Sequence, residues 1–171
     1  MSEKIITVFG TARAKSGDTA YIMAEEIGRL LAQAGFTIAN GGYGGTMLAA
    51  AKGASEAGGN TIGVTCSCFK TTPNKYINHQ IVTASLDERL DTLIKLGQGY
   101  IVLPGGTGTL LELAKVWELK NKGFLETVKP IILVGEFWKP LVDLIKNEDP
   151  DSSSFIKLTT RPNEVKDILN D

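Results

Sequence analysis

The chain is poor in metal-ligating and cross-linking residues, with one histidine, His79, and two cysteines, Cys66 and Cys68, among its 171 residues. The cysteines are one residue apart, which is not the Cys-x-x-Cys spacing of a redox pair or a zinc knuckle. A single histidine also leaves too few ligands for a structural zinc site. Two such cysteines do not staple a secreted domain, so we expect reduced thiols, no metal and a cytoplasmic location.

The sequence also lacks an excess of charge and any long apolar run. It has 18 Lys and Arg residues against 19 Asp and Glu residues, a formal net charge of −1. A strongly basic face for nucleic acid or for an anionic membrane is therefore not expected. No apolar run approaches the roughly 18 residues of a membrane span. The start, Met1-Ser2-Glu3-Lys4, lacks the basic segment and long apolar core of a signal peptide, so we expect none.

Glycine, by contrast, is abundant, at 19 of 171 residues, against about 7% in an average protein. The length suits one domain, at roughly 100–200 residues per domain. Short apolar runs alternate with helical patterns. Strands are predicted over 4–9, 36–40, 60–65, 80–84, 99–103, 129–134 and 155–159, and helices over 19–34, 46–57, 86–96, 109–122, 137–146 and 164–170. This alternation predicts a single Rossmann-like α/β domain over 1–171, with an open parallel sheet and helices on both faces.

Three loops that follow predicted strands are the candidate ligand-binding segments, because ligands of such sheets bind beyond the carboxyl ends of the strands. Glycine lets a ligand approach the peptide groups closely, and the free N–H groups of a following helix favour an anion. Glycines that only make tight strand-to-helix turns are the alternative. Neither the dinucleotide fingerprint nor a Walker A motif is present. We predict phosphate contacts at Gly105, Gly106, Thr107, Gly108 and Thr109, and nucleotide contacts at Gly10, Thr11, Gly41, Gly42, Gly44 and Gly45.

The segment Pro104–Glu112 reads PGGTGTLLE and resembles the PGGxGTxxE motif of the LOG family. That family comprises the cytokinin riboside 5′-monophosphate phosphoribohydrolases, often labelled lysine decarboxylase-like. Asp87-Glu88-Arg89 looks like the family's upstream arginine segment, and Gly41–Gly45 resembles its other glycine loop. The similarity runs from about residue 5 to residue 122, and it departs from the family at Tyr43, at 45–47 and at Leu90.

The resemblance implies hydrolysis of the N-glycosidic bond of a nucleoside 5′-monophosphate, with AMP-like or cytokinin-like substrates. It also implies that Arg89 and Glu112 are catalytic, that residues 105–109 hold the phosphate, that no cofactor is needed and that the protein is a homodimer. The chemistry is consistent, because a carboxylate can stabilise the positive charge that builds on the ribose or orient a water molecule. A solvated acid that complements the helix dipole is the alternative for Glu112. Leu110, Leu113, Ala114 and Trp117 form the predicted apolar stripe of its helix.

A different class of function stays open: molybdenum-cofactor carriers are similar to this fold and hold a phosphorylated pterin with glycine loops. The decarboxylase label is disfavoured, since no lysine lies in a context suited to a pyridoxal-phosphate Schiff base. Tyr43 is either a base-stacking residue or an exposed loop aromatic. His79 is interpreted as structural. Cys66 either borders the site or, as is favoured, is a buried inert thiol.

Overall fold

A computed structural model describes residues 4–170, and it forms one seven-stranded sheet in which every pair of neighbouring strands is parallel. The strands are β1 Ile5–Phe9, β2 Thr37–Asn40, β3 Thr61–Cys66, β4 His79–Thr83, β5 Tyr100–Val102, β6 Ile131–Val134 and β7 Ile156–Thr159. The α-helices are α1 Thr19–Gln33, α2 Thr46–Glu56, α3 Leu86–Leu96, α4 Thr107–Asn121, α5 Lys139–Glu148 and α6 Val165–Asn170. The predicted α/β class is confirmed. Met1, Ser2 and Glu3, on which the signal-peptide expectation depends, lie outside the described residues.

The strand order places a crevice at the centre of the sheet. The order is β4-β3-β2-β1-β5-β6-β7, so the chain moves outward from β1 to β4 and then returns to the other side of β1. The loops after β1 and β5 therefore diverge at the point where the order reverses, which is where parallel α/β sheets bind ligands. Gly10 and the glycine-rich segment at residues 105–108 follow these two strands.

Two apolar cores cover the two faces of the sheet. Neighbouring residues of one strand alternate between them: Ile131 packs in the core beneath α3, α4 and α5, and Ile132 in the core beneath α1, α2 and α6. Burial on both faces explains why inner strands such as β5 and β6 read as continuous apolar runs rather than as alternating patterns. None of the helices within residues 4–170 is long and apolar enough to span a bilayer.

Helix α4 differs from its prediction in two ways. It begins at Thr107 rather than Thr109, with Gly106 as its N-cap, so part of the glycine loop forms the first helical turn. The prediction began the helix at Thr109 because Thr107 and Gly108 belong to residue types with low helix propensity. Its buried side includes Leu113 and Trp117, as predicted, whereas Leu110 and Ala114 are exposed.

Candidate active site

A cavity of about 660 Å³ lies at the carboxyl edge of the sheet, where the loops after β1, β2, β3 and β5 meet. This volume is within the range of about 300–1,000 Å³ that is typical of small-molecule sites. Most residues that were predicted to bind substrate line this cavity. Four further lining residues were not predicted: Ala12, Arg13, Met47 and Phe69. The complete lining is Gly10, Thr11, Ala12, Arg13, Tyr43, Met47, Phe69, Arg89, Gly106, Thr107, Gly108, Thr109 and Glu112. The structure therefore brings Arg89, Glu112 and the α4 N-terminus to one site.

The N-terminus of α4 forms one wall of this cavity and is suited to an anion. The first N–H groups of a helix have no carbonyl partner within it, and they point outward at its positive end. Here those groups belong to Thr107, Gly108 and Thr109. A Cβ atom on Gly105 would lie 2.1 Å from Thr109 Oγ1, so glycine at 105 lets the buried Thr109 pack against the loop.

The second glycine loop has a different role in the structure. Gly41, Gly42, Gly44 and Gly45 are not among the residues that line the cavity, and their predicted nucleotide contact stays a prediction. A Cβ atom on Gly41 would lie 1.8 Å from Arg89 Nη2, and one on Gly45 would lie 2.2 Å from the Thr11 carbonyl oxygen. Gly45 also has a φ of 64°, which favours glycine. These glycines let the loop pack closely against Arg89 and against the loop after β1.

Two main-chain carbonyl groups hold the Arg89 side chain in place. It is 8% exposed, and its Nε and Nη2 donate to the carbonyl oxygens of Val64 at 2.7 Å and Gly41 at 3.1 Å. Burial lowers the pKa of the guanidinium, against the opposing effects of Glu112 and Tyr43. A guanidinium keeps its charge under such conditions. Arg89 therefore presents a pre-oriented positive charge to the cavity.

Two aromatic rings flank the Arg89 guanidinium. The Tyr43 ring centroid is 5.5 Å from Arg89 Cζ, and the Phe69 centroid is 5.8 Å from it. The interpretation of Tyr43 as an exposed loop aromatic is wrong, because the residue is buried. Its hydroxyl accepts from the Cys66 N–H at 2.9 Å and contacts the Cys66 carbonyl at 3.3 Å. Phe69 was missed because it lies in a segment without periodic pattern.

Glu112 lies in the second turn of α4 and is half-buried in the cavity wall. Burial raises the pKa of its carboxyl to about 7, although the nearby positive charge of Arg89 acts to lower it. A solvated acid would not show this shift, so the alternative role for Glu112 is disfavoured. A carboxyl group that titrates near neutral pH in a cleft is typical of acid–base sites.

The raised pKa of Glu112 also makes stability depend on pH. Its folded-state pKa of about 7 exceeds its ordinary value of 4.5, so the stabilisation it gives is complete below about 4.5 and is lost as the pH rises through 7. The free energy of unfolding of Glu112→Gln, relative to that of the wild type, should therefore increase by about 1–3 kcal/mol from pH 5 to pH 8. Urea denaturation of both proteins at the two pH values measures this. A difference that does not change with pH would contradict it.

The cysteines and the histidine lie differently from what was expected. Cys66 and Cys68 are joined by a disulfide at the end of β3, so the expectation of two reduced thiols is wrong for this structure. The sequence spacing gave no sign of this pairing, which depends on the turn after β3. Cys66 is buried, as expected, and it is not among the residues that line the cavity. His79 is the first residue of β4, is exposed and pairs with Ile62, at the end of the sheet opposite the cavity.

A second depression, of about 430 Å³, lies between α1 and α2. Its lining includes Glu25, Glu26 and Arg29. Arg29 pairs with Glu26 at 2.6 Å, and Glu25 pairs with Lys52, which lies outside the lining, at 2.7 Å. These pairs use the charges that a polar ligand would need. The cavity at the α4 N-terminus is therefore the better candidate for a substrate site.

The known proteins that are similar in sequence or structure include named hydrolases and a cofactor-binding protein. A cytokinin riboside 5′-monophosphate phosphoribohydrolase of Rhodococcoides fascians is 30% identical over 96% of this chain and 85% of its own length. A pyrimidine/purine nucleotide 5′-monophosphate nucleosidase of Escherichia coli K12 is 29% identical over 69% of this chain, a match that spans 28% of that protein. The molybdenum cofactor binding protein of Rippkaea orientalis superposes with a TM-score of 0.81 and 27% identity, over 99% of this chain and 97% of that one.

One family model matches almost the whole chain, and its description names a family without naming a reaction. The model of the SLOG cluster4 family, a LOG-like family, matches residues 3–164. The match includes every strand, Gly10 and the glycine-rich segment at residues 105–108. The chain therefore belongs to the SLOG cluster4 family.

Proposed function

We propose that the protein hydrolyses the N-glycosidic bond of nucleoside 5′-monophosphates and releases the free base and ribose 5-phosphate. The observation that carries the proposal is the position of Glu112. Its carboxyl, with a pKa of about 7, shares one cavity with the Arg89 guanidinium and with the anion-binding end of α4. A phosphate at the first turn of α4 places the attached ribose within reach of a carboxylate in the second turn.

In the proposed reaction, the oxygen of a water molecule bonds to C1′ of the ribose as the C1′–N bond breaks. The bonding electron pair leaves with the base. One proton of the water stays on the new C1′ hydroxyl, and the other is transferred to the base. Glu112 in its carboxylate form orients the water, accepts its proton and stabilises the positive charge on the ribose. Arg89 stabilises the negative charge that develops on the departing base.

The test is a panel of purified nucleotides and nucleosides. AMP, CMP and N6-substituted AMP should each be incubated with the protein beside the matching unphosphorylated nucleoside, and base release followed by chromatography. We expect base and ribose 5-phosphate from the monophosphates, and much slower release from nucleosides, which lack the group held by α4. No base release from any monophosphate would refute the proposal.

A molybdenum-cofactor carrier is the second candidate, and the similarity to the Rippkaea orientalis protein over nearly the full length of both chains supports it. A carrier would bind its pterin ligand and return it unchanged. A fluorescent pterin that co-purifies with the protein, together with intact monophosphates after incubation, would favour this function over hydrolysis.

We also propose that the protein is a homodimer. Leu110 and Leu111 of α4 are exposed, at 38% and 44%, on the helix that carries Glu112. Apolar side chains of this size are more often covered than left in water when they are neighbours. Light scattering on purified protein should give twice the chain mass of 18.3 kDa. A monomeric mass at micromolar concentration would contradict this.

A further inference from the structure

Two aromatic rings beside Arg89, those of Tyr43 and Phe69, form an end of the cavity, and the proposed reaction gives these rings no role. The loops after β1 and β5 supply the phosphate end of the cavity, whereas the loops after β2 and β3 supply Tyr43 and Phe69. Strands β3 and β5 are separated by β2 and β1, which amounts to about 14 Å across the sheet. A nucleotide with its phosphate at α4 and its ribose at Glu112 therefore directs its base towards these aromatic rings.

The two rings are not equivalent. Tyr43 is 8% exposed and its hydroxyl is bonded to the main chain of Cys66, so it forms a fixed rear wall. Phe69 is 41% exposed, and its ring contacts that of Tyr43 edge-on, with centroids 5.7 Å apart and planes at 61°. Phe69 therefore leaves part of a large apolar ring uncovered within a cavity wall.

Phe69 is held in place although it lies in a loop. Its N–H donates to the Cys66 carbonyl oxygen at 3.1 Å, and the Cys66–Cys68 disulfide closes the same turn. Farther along this loop, Asn74 donates from its main chain to the Gly42 carbonyl at 2.8 Å and from its side chain to the Tyr43 carbonyl at 2.9 Å. The β3–β4 loop is thereby tied to the β2–α2 loop, and the ring is pre-oriented.

This end of the cavity offers few side-chain groups that could read the hydrogen-bonding edge of a base. The Tyr43 hydroxyl is already used, Met47 carries only a thioether, and Phe69 has no polar atom. Arg89 commits Nε and Nη2 to main-chain carbonyls. Every base has a π face, and stacking on an aromatic ring is tolerant of base identity.

We propose that Phe69 is the residue that binds the nucleobase, by stacking, and that the site therefore accepts purine and pyrimidine monophosphates, with affinity that increases with ring area. This inference rests on the proposed function for the orientation of the nucleotide. It adds a specificity-determining residue that the glycine motif and the Arg89–Glu112 pair do not indicate.

The test measures binding by calorimetry in the Glu112→Gln protein, in which the nucleotide is expected to stay intact. The ligands are AMP, CMP and ribose 5-phosphate, which lacks the base. Adding Phe69→Ala should weaken AMP about 10- to 100-fold and CMP about 5- to 10-fold, from the usual strength of base–aromatic stacking. Ribose 5-phosphate should change less than twofold. Phe69→Trp should restore AMP binding.

Phe124→Ala in the same protein is the matched control, since it removes a phenyl ring that is 77% exposed and does not line the cavity. It should leave all three affinities unchanged. Equal weakening of AMP and ribose 5-phosphate by Phe69→Ala would overturn the inference, as would undiminished AMP binding or no AMP binding at all. AMP binding that depends on Phe69, without hydrolysis by the wild type, would support the inference and refute the proposed reaction.

Discussion

Replacing Glu112 by glutamine is expected to lower kcat for base release from AMP by about 10²- to 10⁴-fold, the usual contribution of a positioned acid–base group. Glutamine keeps the shape of the side chain but can neither accept a proton from water nor carry the negative charge that stabilises the ribosyl cation. KM should change little, because the phosphate and the base are held by other groups. Initial rates over a range of AMP concentrations at pH 8 separate the two parameters.

The pH dependence of the same reaction provides a second, independent measurement. Burial places the pKa of Glu112 at about 7, and the proposed active form is the carboxylate. The kcat/KM of the wild type should therefore rise with pH and level off above about 7. The residual activity of Glu112→Gln should lack this rise.

Glu118→Gln is the matched control for both experiments. Glu118 is exposed on the same helix, α4, and its carboxylate lies 3.7 Å from the Lys122 ammonium rather than in the cavity. This variant should keep the wild-type kcat and pH profile. Equal activity of Glu112→Gln and the wild type would show that Glu112 does not act in the reaction.

The sequence was informative where local patterns carry the signal. Short apolar runs predicted each of the seven strands within about two residues. The signal is strongest in inner strands such as β5 and β6, which are buried on both faces and are therefore apolar throughout. The glycine-rich segments predicted the edge of the sheet at which the cavity lies. The nine-residue motif with Arg89 predicted that Arg89 and Glu112 belong to one site, and the structure lines one cavity with both.

The remaining features of the site depend on contacts between segments that are distant in the chain. Phe69 reaches the cavity because Asn74 and Tyr43 join two loops about 30 residues apart in sequence, and no periodicity reports such a contact. The burial of Tyr43 follows from its bond to Cys66. Gly41 was interpreted as a nucleotide contact, whereas its nearest constraint is the Arg89 side chain. Composition identifies the glycine but not the neighbour that requires it.

Substitutions of Arg89 should distinguish the effect of its charge on Glu112 from the effect of its packing. Its positive charge lowers the pKa of Glu112, in opposition to burial. In Arg89→Met the charge is lost, so the pKa of Glu112 should increase further and the rise in kcat/KM should move to a pH above 7. At pH 7 we expect kcat/KM to fall by about 10²- to 10³-fold, the usual effect of removing one group that stabilises developing charge.

Arg89→Lys distinguishes the charge from the guanidinium fork. Lysine keeps a positive charge but cannot donate to the Val64 and Gly41 carbonyls in the same planar geometry. Its activity should fall, while the rise in kcat/KM should stay close to pH 7. Both variants leave carbonyl groups unpaired and should lose stability to a similar extent, by about 1–3 kcal/mol. Only the methionine variant is expected to shift the pH profile. An equal shift in both variants, or no shift in either, would show that Arg89 acts on the site through packing alone.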